Sequence, residues 1–409
     1  MPQNPSPTLT RATSVLFALL LLASGVSAAP KYKVLHAFGL GNDGGGLWGS
    51  LVLDTRGNVY GSTSGGGVYD YGTVFELTPG LGGEWTESIL HSYEFGDPDG
   101  DEPNSDLILD AEGNLYGTAG FGGTHNRGTV FELAHGTWAE TVLYNFCSKP
   151  DCRDGGSPKA GLVRDDEGNF YGTAFYPFEL SPKADGWKET VLHRYNCRNH
   201  GPCDLLAGLI LDAAGNLYGI TGSGGAHDYG TVFELTYTPA DGWKQTILHS
   251  FGTFHTDGRR PYGGALTLDS AGNLYGTTGG GGKHVDTCSC GTVFKLTPGA
   301  NGKWKETILH SFTLGSGGLG PGAGVVMDKT GNLYGTASAG GNKDCSCGVV
   351  FELAPSPDGK WKYTVLHSFV GSDGAGPGAN LILDGGGNLY GTTTTGGEYN
   401  GGVAFEVTP

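Results

Sequence analysis

Basic side chains are scarce in this sequence. Lys and Arg number 24 against 41 Asp and Glu, for a formal net charge of −17 over 409 residues. A surface of that sign repels nucleic acid phosphates and anionic lipid, so no nucleic acid partner is expected, while cations and basic partners stay open. Long apolar runs are lacking as well. The one near the start, Val15–Ala23, spans nine residues, far short of the ~20 that a spanning helix needs. The 77 glycines follow no three-residue period, which excludes a collagen helix. Aromatic residues recur too regularly for a disordered chain.

Arg11 is the only charge before Lys31, and the small residues Val26-Ser27-Ala28 follow the apolar run. A basic start, a short apolar stretch and small residues at −3 and −1 predict a signal peptide over residues 1–28, cleaved after Ala28. Residues 29–409 would then be the mature domain, secreted or periplasmic, with no membrane insertion after cleavage. No Cys follows the apolar run to carry lipid, and the last residues, Val407-Thr408-Pro409, form no hydrophobic tail.

Internal repetition organises everything after the leader. Gly-Asn-(Leu/Val/Phe)-Tyr-Gly occurs seven times, beginning at Gly57, Gly113, Gly168, Gly215, Gly272, Gly331 and Gly387. An Asp stands three residues before each Gly, from Asp54 to Asp384. One unit reads as four short strands: strand a near Leu209-Ile210-Leu211, an Asp-x-x-Gly-Asn turn, strand b from Leu217, strand c Thr231–Leu235 and strand d Trp243–Phe251. Asp caps its own backbone there, while Gly and Asn tolerate the positive φ of a tight hairpin. The Gly after each Tyr is read as a point of close backbone approach between strands.

The ends of the repeat decide between a solenoid and a ring. The last unit stops after strand c at Phe405-Glu406-Val407, and Lys33–Phe38 is a strand d with no unit before it. The two halves make one blade. The fold expected is an all-β, seven-bladed β-propeller with four antiparallel strands per blade, its last blade closed by the N-terminal strand. A monomer is expected.

Asp-x-x-Gly-Asn-Leu-Tyr-Gly, then Gly-Thr-Val-Phe-Glu-Leu-Thr-Pro, then Val-Leu-His-Ser-Phe resemble the bacterial tandem repeat called GloVer, of the choice-of-anchor exported proteins, over residues 31–409. The chain is also similar, more loosely, to NHL-type propellers. The resemblance implies export and a repeat fold. It brings no activity with it, and the surface or sorting anchor common in that family is not expected here.

With strand a innermost, the b–c and d–a loops share one face, and length variation concentrates there. Variable loops on a rigid scaffold are where binding usually sits. The third unit nearly lacks its b–c loop, which leaves a notch with Phe175 and Tyr176 as candidate ligand-binding residues. Six of seven d strands carry His (His36, His91, His193, His249, His310, His367), with Tyr144 in the other. These read as structural residues hydrogen-bonded within each blade, since a ring of outer strands is too wide for one metal. The Trp residues that open the d strands read as blade packing.

The eight cysteines fit an exported protein. Cys147 with Cys152 and Cys197 with Cys203 predict local disulfides. Cys288-Ser289-Cys290 and Cys345-Ser346-Cys347 leave local bridges, cross-blade pairing and a four-Cys metal site all open. Asp97, Asp99 and Asp101 alternate around a Gly and are candidate calcium ligands, in a chain otherwise expected to need no cofactor. No Ser-His-Asp or Cys-His arrangement shows, and the Gly-rich loops precede no helix that could hold phosphate. The function expected is a non-catalytic binding scaffold for a glycan or protein ligand. A polysaccharide hydrolase or lyase at the channel mouth and a structural envelope protein are the alternatives.

Overall fold

A computed structural model of the chain describes residue 1 and residues 29–409 except 40, 95, 97–98, 104, 196–203, 206, 255, 262–263 and 284–287. The predicted leader with its cleavage point after Ala28, Asp97, Cys197 and Cys203 lie outside the described residues. Seven four-stranded antiparallel sheets form the fold, with one further two-stranded ribbon between Gly258–Arg259 and Gly280–Gly281. Blade 1 sets the pattern with strands a to d at Val52–Leu53, Val59–Thr63, Thr73–Pro79 and Trp85–Ser92. Blades 2 to 6 follow, with strand a at Ile108–Leu109, Val163–Arg164, Ile210–Leu211, Thr267–Leu268 and Val325–Met327.

Blade 7 takes strands a to c from Ile382–Leu383, Leu389–Thr392 and Val403–Thr408, and its strand d from Lys31–Ala37. The closing register runs from Lys31 opposite Thr408 to Ala37 opposite Val403. The ring is therefore a closed seven-bladed propeller. Closure leaves strand 403–408 paired on both sides and removes the edge that would template association.

Each a–b turn is built as the sequence suggests, with one difference. Gly57 and its six counterparts all have φ between +79° and +90°, where a side chain is strained. The Asn that follows is not among the positive-φ residues. It acts through its donors instead: in blade 2 the Asn114 amide donates to Asp110 Oδ1 at 2.8 Å and its Nδ2 to Oδ2 at 3.0 Å. Burial opposes charge on Asp110, but these bonds from Asn114 and one from the Tyr116 hydroxyl outweigh it and hold the carboxyl below its usual range.

The Gly after Tyr answers to a side chain rather than to a second backbone. A Cβ on Gly61 would meet the Phe75 ring at 2.6 Å and Leu51 Cδ2 at 2.9 Å, and all seven equivalents meet the strand-c Phe in the same way. The Phe directly opposite each Gly in the sheet lies across it.

The apolar core is divided into seven clusters, one at each blade junction. Blade 7 with blade 1, for example, buries Leu35, Phe38, Leu51, Val59 and Phe75 together. The Trp at or near the start of strand d in blades 1 to 6 packs on such a cluster, as Trp85, Trp187 and Trp361 do. Hydrogen bonds reinforce the junctions nearer the axis. Thr118, Thr173 and Thr277 of strand b donate to the carbonyls of Ala160, Ala207 and Ala323, just before strand a of the next blade.

Six of the seven d strands carry a register shift at the same place, between Ile89 and His91 in blade 1. Residues two or four apart on a regular strand share a face. The bulge inserts one residue and inverts that parity. Glu87 and Ile89 consequently face blade 7, whereas Leu90 and His91 face blade 2.

Candidate functional site

The b–c and d–a loops meet on one face. Gly45 pairs with Gly65, Asp101 with Phe121, Leu319 with Ala339 and Ala375 with Thr395, each a d–a residue against a b–c residue. On the opposite face the a–b turns touch the c–d turns, as where the His135 amide donates to Asn114 Oδ1 at 2.9 Å.

Exposed apolar surface is unevenly divided between these faces. Apart from Met1, twelve large hydrophobic side chains are exposed among the described residues, and nine of them stand on the b–c and d–a loops. They include Trp48, Tyr69, Phe121, Phe175, Phe254 and Tyr399. The sequence reading had singled out only Phe175 with Tyr176. In blade 3 the b–c connection is a tight turn in which the Ala174 amide donates to the Tyr176 carbonyl at 3.0 Å. Phe175 is 49% exposed, but the Arg194 guanidinium stands 4.9 Å from the Tyr176 ring centre and covers it.

Just before strand a, the seven equivalent positions around the axis are Ser50, Asp106, Gly161, Gly208, Ala265, Gly324 and Asn380. The polar members are joined. Asp106 Oδ1 accepts the Ser50 amide at 2.6 Å, and the Asn380 amide donates to Ser50 Oγ at 3.1 Å. Asn380 Oδ1 accepts the Gly324 amide at 2.7 Å, and its Nδ2 reaches Asp106 Oδ2 at 3.5 Å. Asp106 is the one carboxylate in this ring. Arg164 lies at the a–b end of its strand, 5.7 and 5.6 Å from the ring centres of Tyr116 and Phe170.

The strand-d histidines are not satisfied within their own blades, as the sequence reading held. Because of the bulge, His36, His91, His249, His310 and His367 face the next blade. His36 Nε2 is 3.1 Å from Asp43 Oδ2 and 3.6 Å from Glu87 Oε2 of blade 1. His91 Nε2 is 3.2 Å from both Asp99 Oδ2 and Glu140 Oε2 of blade 2. His249 Nε2 is 3.7 Å from Asp257 Oδ1 and 3.8 Å from Glu306 Oε2 of blade 5. In each set the His comes from one blade, the Asp from the following d–a loop and the Glu from the next strand d, four residues before that strand's own His or Tyr144.

These groups are poorly compensated. Neither carboxylate oxygen of Glu140 accepts a well-aligned hydrogen bond, and Glu87 Oε1, Asp99 Oδ1, Glu306 Oε1, Asp257 Oδ1 and His249 Nε2 are also buried without partners. Burial raises the Glu87 and Glu140 carboxyls to about 7, with Asp43 adding to the effect at Glu87. Burial first and then Asp257 raise Glu306 to about 9.

Three of the other junctions replace members of the set. Between blades 2 and 3, Tyr144 stands where His would, and Lys149 Nζ enters to sit 2.5 Å from Glu189 Oε2. Tyr144 and Ser148 there donate to Asp154 at 2.8 Å each. Between blades 5 and 6 and between blades 6 and 7, Tyr replaces Glu and lies flat on the His. The His310 and Tyr363 ring centres are 4.0 Å apart and those of His367 and Tyr32 3.7 Å apart. Asp43, Glu87, Glu140, Asp257 and Glu306 were missed at the sequence level. The signal available was the residue four before the strand-d His or Tyr144, which is Glu87, Glu140, Glu189, Gln245, Glu306, Tyr363 and Tyr32 around the repeat.

Of the proposed calcium ligands, Asp99 belongs to the His91 set, while Asp101 is buried where its backbone pairs with Phe121. Cys147 is bridged to Cys152, Cys288 to Cys290 and Cys345 to Cys347. Among the described residues no helix is long and apolar enough to cross a membrane.

The Gloeobacter/Verrucomicrobia repeat family matches residues 23–180 and 286–409, more than half of the sequence. The chain belongs to that family. Blade 4, between the two matched stretches, has the same strand order as its neighbours, so the Gloeobacter/Verrucomicrobia repeat here builds a complete ring. No curated protein matches the chain. Among solved structures it is similar to a gluconolactonase from Xanthomonas campestris at 15% identity, covering 73% of this chain and 82% of that one with a TM-score of 0.39. It is also similar to a putative 6-phosphogluconolactonase from Bacteroides uniformis at 15% identity, covering 77% and 83% with a TM-score of 0.47. Neither similarity bears on what this repeat protein does.

Proposed function

We propose that the protein is an exported, non-catalytic binding scaffold that takes a glycan or protein ligand on its b–c and d–a loop face. The observation that carries this reading is the gathering of nine of twelve exposed large apolar side chains on that face. Rigid aromatic side chains supply contact area at small entropic cost and form the anchors of most recognition surfaces. A closed ring of blades holds the loops in place, which lowers the cost of binding. A hydrolase or lyase would need two carboxylates, or a His and a carboxylate, converging at the axis. The single carboxylate of the axial ring, Asp106, is already held by Ser50 and Asn380, which favours binding over chemistry.

Export is part of the same reading: cleavage after Ala28 would release a monomeric propeller to the periplasm or the medium, where the bridged cysteines persist. The test is a labelled full chain applied to glycan arrays and to envelope protein extracts. Capture is expected, and Trp48→Ala with Phe121→Ala and Phe175→Ala should weaken it at least tenfold while leaving the fold intact. Absence of any ligand on both arrays, or capture that the triple variant retains, would overturn the proposal.

A further inference from the structure

We propose that three blade junctions each bind one divalent transition-metal ion of the zinc or manganese class, held by His36, Asp43 and Glu87, by His91, Asp99 and Glu140, and by His249, Asp257 and Glu306. These sites lie between outer strands, away from the axial mouth, and are independent of the ligand-binding reading above.

The first support is geometric. Within each set the three donor atoms lie within 4.8 Å of one another. The separations from the imidazole Nε2 to the carboxylate oxygens run from 3.1 to 3.8 Å. Donors ~2.1 Å from a tetrahedral ion stand ~3.4 Å apart, the middle of that range. One imidazole with two carboxylates suits zinc or manganese rather than calcium, whose sites are built from six or more oxygens. Three protein ligands leave a fourth position open, and at the first site a surface cleft between the Lys31–Ala37 strand, Glu398 and Tyr399 leads to His36, Asp43 and Glu87.

The second support is the state of the donors themselves. The Glu140 side chain is only 5% exposed and its Oε2 stands 3.2 Å from His91 Nε2, yet neither of its oxygens accepts a well-aligned hydrogen bond. The Asp257 side chain is fully buried with Oδ1 unpartnered, and the His249 Nε2 that faces it is unpartnered too. At 3.7 and 3.8 Å these atoms are beyond good hydrogen-bond reach of each other. They surround a space in which a cation would satisfy all of them. An uncompensated buried carboxylate is costly, so native structures pair it or place it on a metal.

The third support comes from the repeat as its own control. Where His is replaced by Tyr144, the chain brings its own cation, Lys149, to Glu189. Where Glu is replaced by Tyr32, one carboxylate is gone, and where it is replaced by Tyr363 both are, since the loop after His310 holds no Asp; in each case the Tyr ring stacks on the His instead. None of the three junctions with all three donors brings a Lys or Arg to those donors.

The test counts metal on the full purified chain. The protein is stripped with a chelator, incubated separately with Zn²⁺ and Mn²⁺, desalted, and measured by elemental mass spectrometry alongside a thermal melt. Three ions per chain are expected with at least one of the two metals, together with a rise in melting temperature on loading. Glu140→Gln should bind two, and Glu87→Gln with Glu140→Gln and Glu306→Gln should bind none and lose the thermal shift. Tyr144→His combined with Lys149→Ala should gain a fourth ion beside Asp154 and Glu189. Wild-type chain that takes up neither metal would overturn the proposal and leave a protonated-histidine latch only. Unchanged stoichiometry in the folded triple variant would overturn it equally, by placing the metal elsewhere. If the triple variant does not fold, the wild-type count and the Glu140→Gln count decide.

Discussion

His91 and Glu140 sit on the outer strands of adjacent blades, yet Nε2 of one lies 3.2 Å from Oε2 of the other. Both occupy strands that pair only within their own sheets, so their meeting ties the rim of the ring where no backbone hydrogen bond can. Burial disfavours a charged His91, but the bond to Asp99 and the close Glu140 carboxylate outweigh it and raise the imidazole to about 9. Four junctions further round, burial alone lowers His310 to about 4 beside the flat face of Tyr363.

The two histidines therefore act on stability in opposite directions. A raised His91 binds its proton more tightly folded than unfolded, so its contribution is complete below the ordinary value near ~6.5 and is lost as pH rises towards about 9. A lowered His310 contributes fully above ~6.5 and loses that contribution as pH falls towards about 4. Urea unfolding of metal-free protein from pH 4 to 9 should show His91→Gln flattening the alkaline limb and His310→Gln flattening the acid limb. Parallel displacement of both limbs by either variant would contradict this assignment.

Gly219 carries the close packing of strand b on strand c. A Cβ there would come within 2.5 Å of the Phe233 ring and 2.8 Å of Leu209 Cδ2. Gly219→Ala should cost about 1–3 kcal/mol in denaturant unfolding, the usual cost of overpacking a filled core. Ala at Gly57, which meets no atom but has φ of +88°, should be destabilising through backbone strain alone and by a smaller amount.

Thr277 tests the inner seam. Its buried hydroxyl donates to the Ala323 carbonyl of the next blade at 2.6 Å. Thr277→Val keeps the shape and removes the donor, leaving a buried carbonyl unsatisfied at a cost of about 1–3 kcal/mol. Chemical denaturation of the single variant checks it, and a change below a few tenths would mean that water reaches the seam.

Ring closure has the largest predicted effect. Deleting residues 29–38 would expose one side of the Val403–Thr408 strand and empty the cluster around Phe38 and Leu51. Self-association on size-exclusion chromatography and loss of a single cooperative melt are expected. The milder Phe38→Ala, at a fully buried site, should cost about 3–5 kcal/mol without opening the ring.

Much of this architecture was legible along the chain. The Asp-x-x-Gly-Asn turns, the four-strand unit and the stray first strand each depend on neighbours close in sequence or on counting units, and the closed register of Lys31–Ala37 with Val403–Thr408 follows from them. The role of the Gly after Tyr was read as backbone approach, because the Phe that occupies the space belongs to another strand. Asp99 was noticed for its carboxylate neighbours along the loop, whereas its partners His91 and Glu140 flank it from two blades.

Local pattern alone thus determined the strands, the turns and the number of blades, since tight hairpins and alternating burial are dictated by residues within a few positions of one another. The pairing of His36, His91 and His249 with carboxylates of the following blade was decided only in three dimensions. One bulged residue in strand d inverts which side of the sheet the His occupies, and only the packed neighbour determines what it meets there.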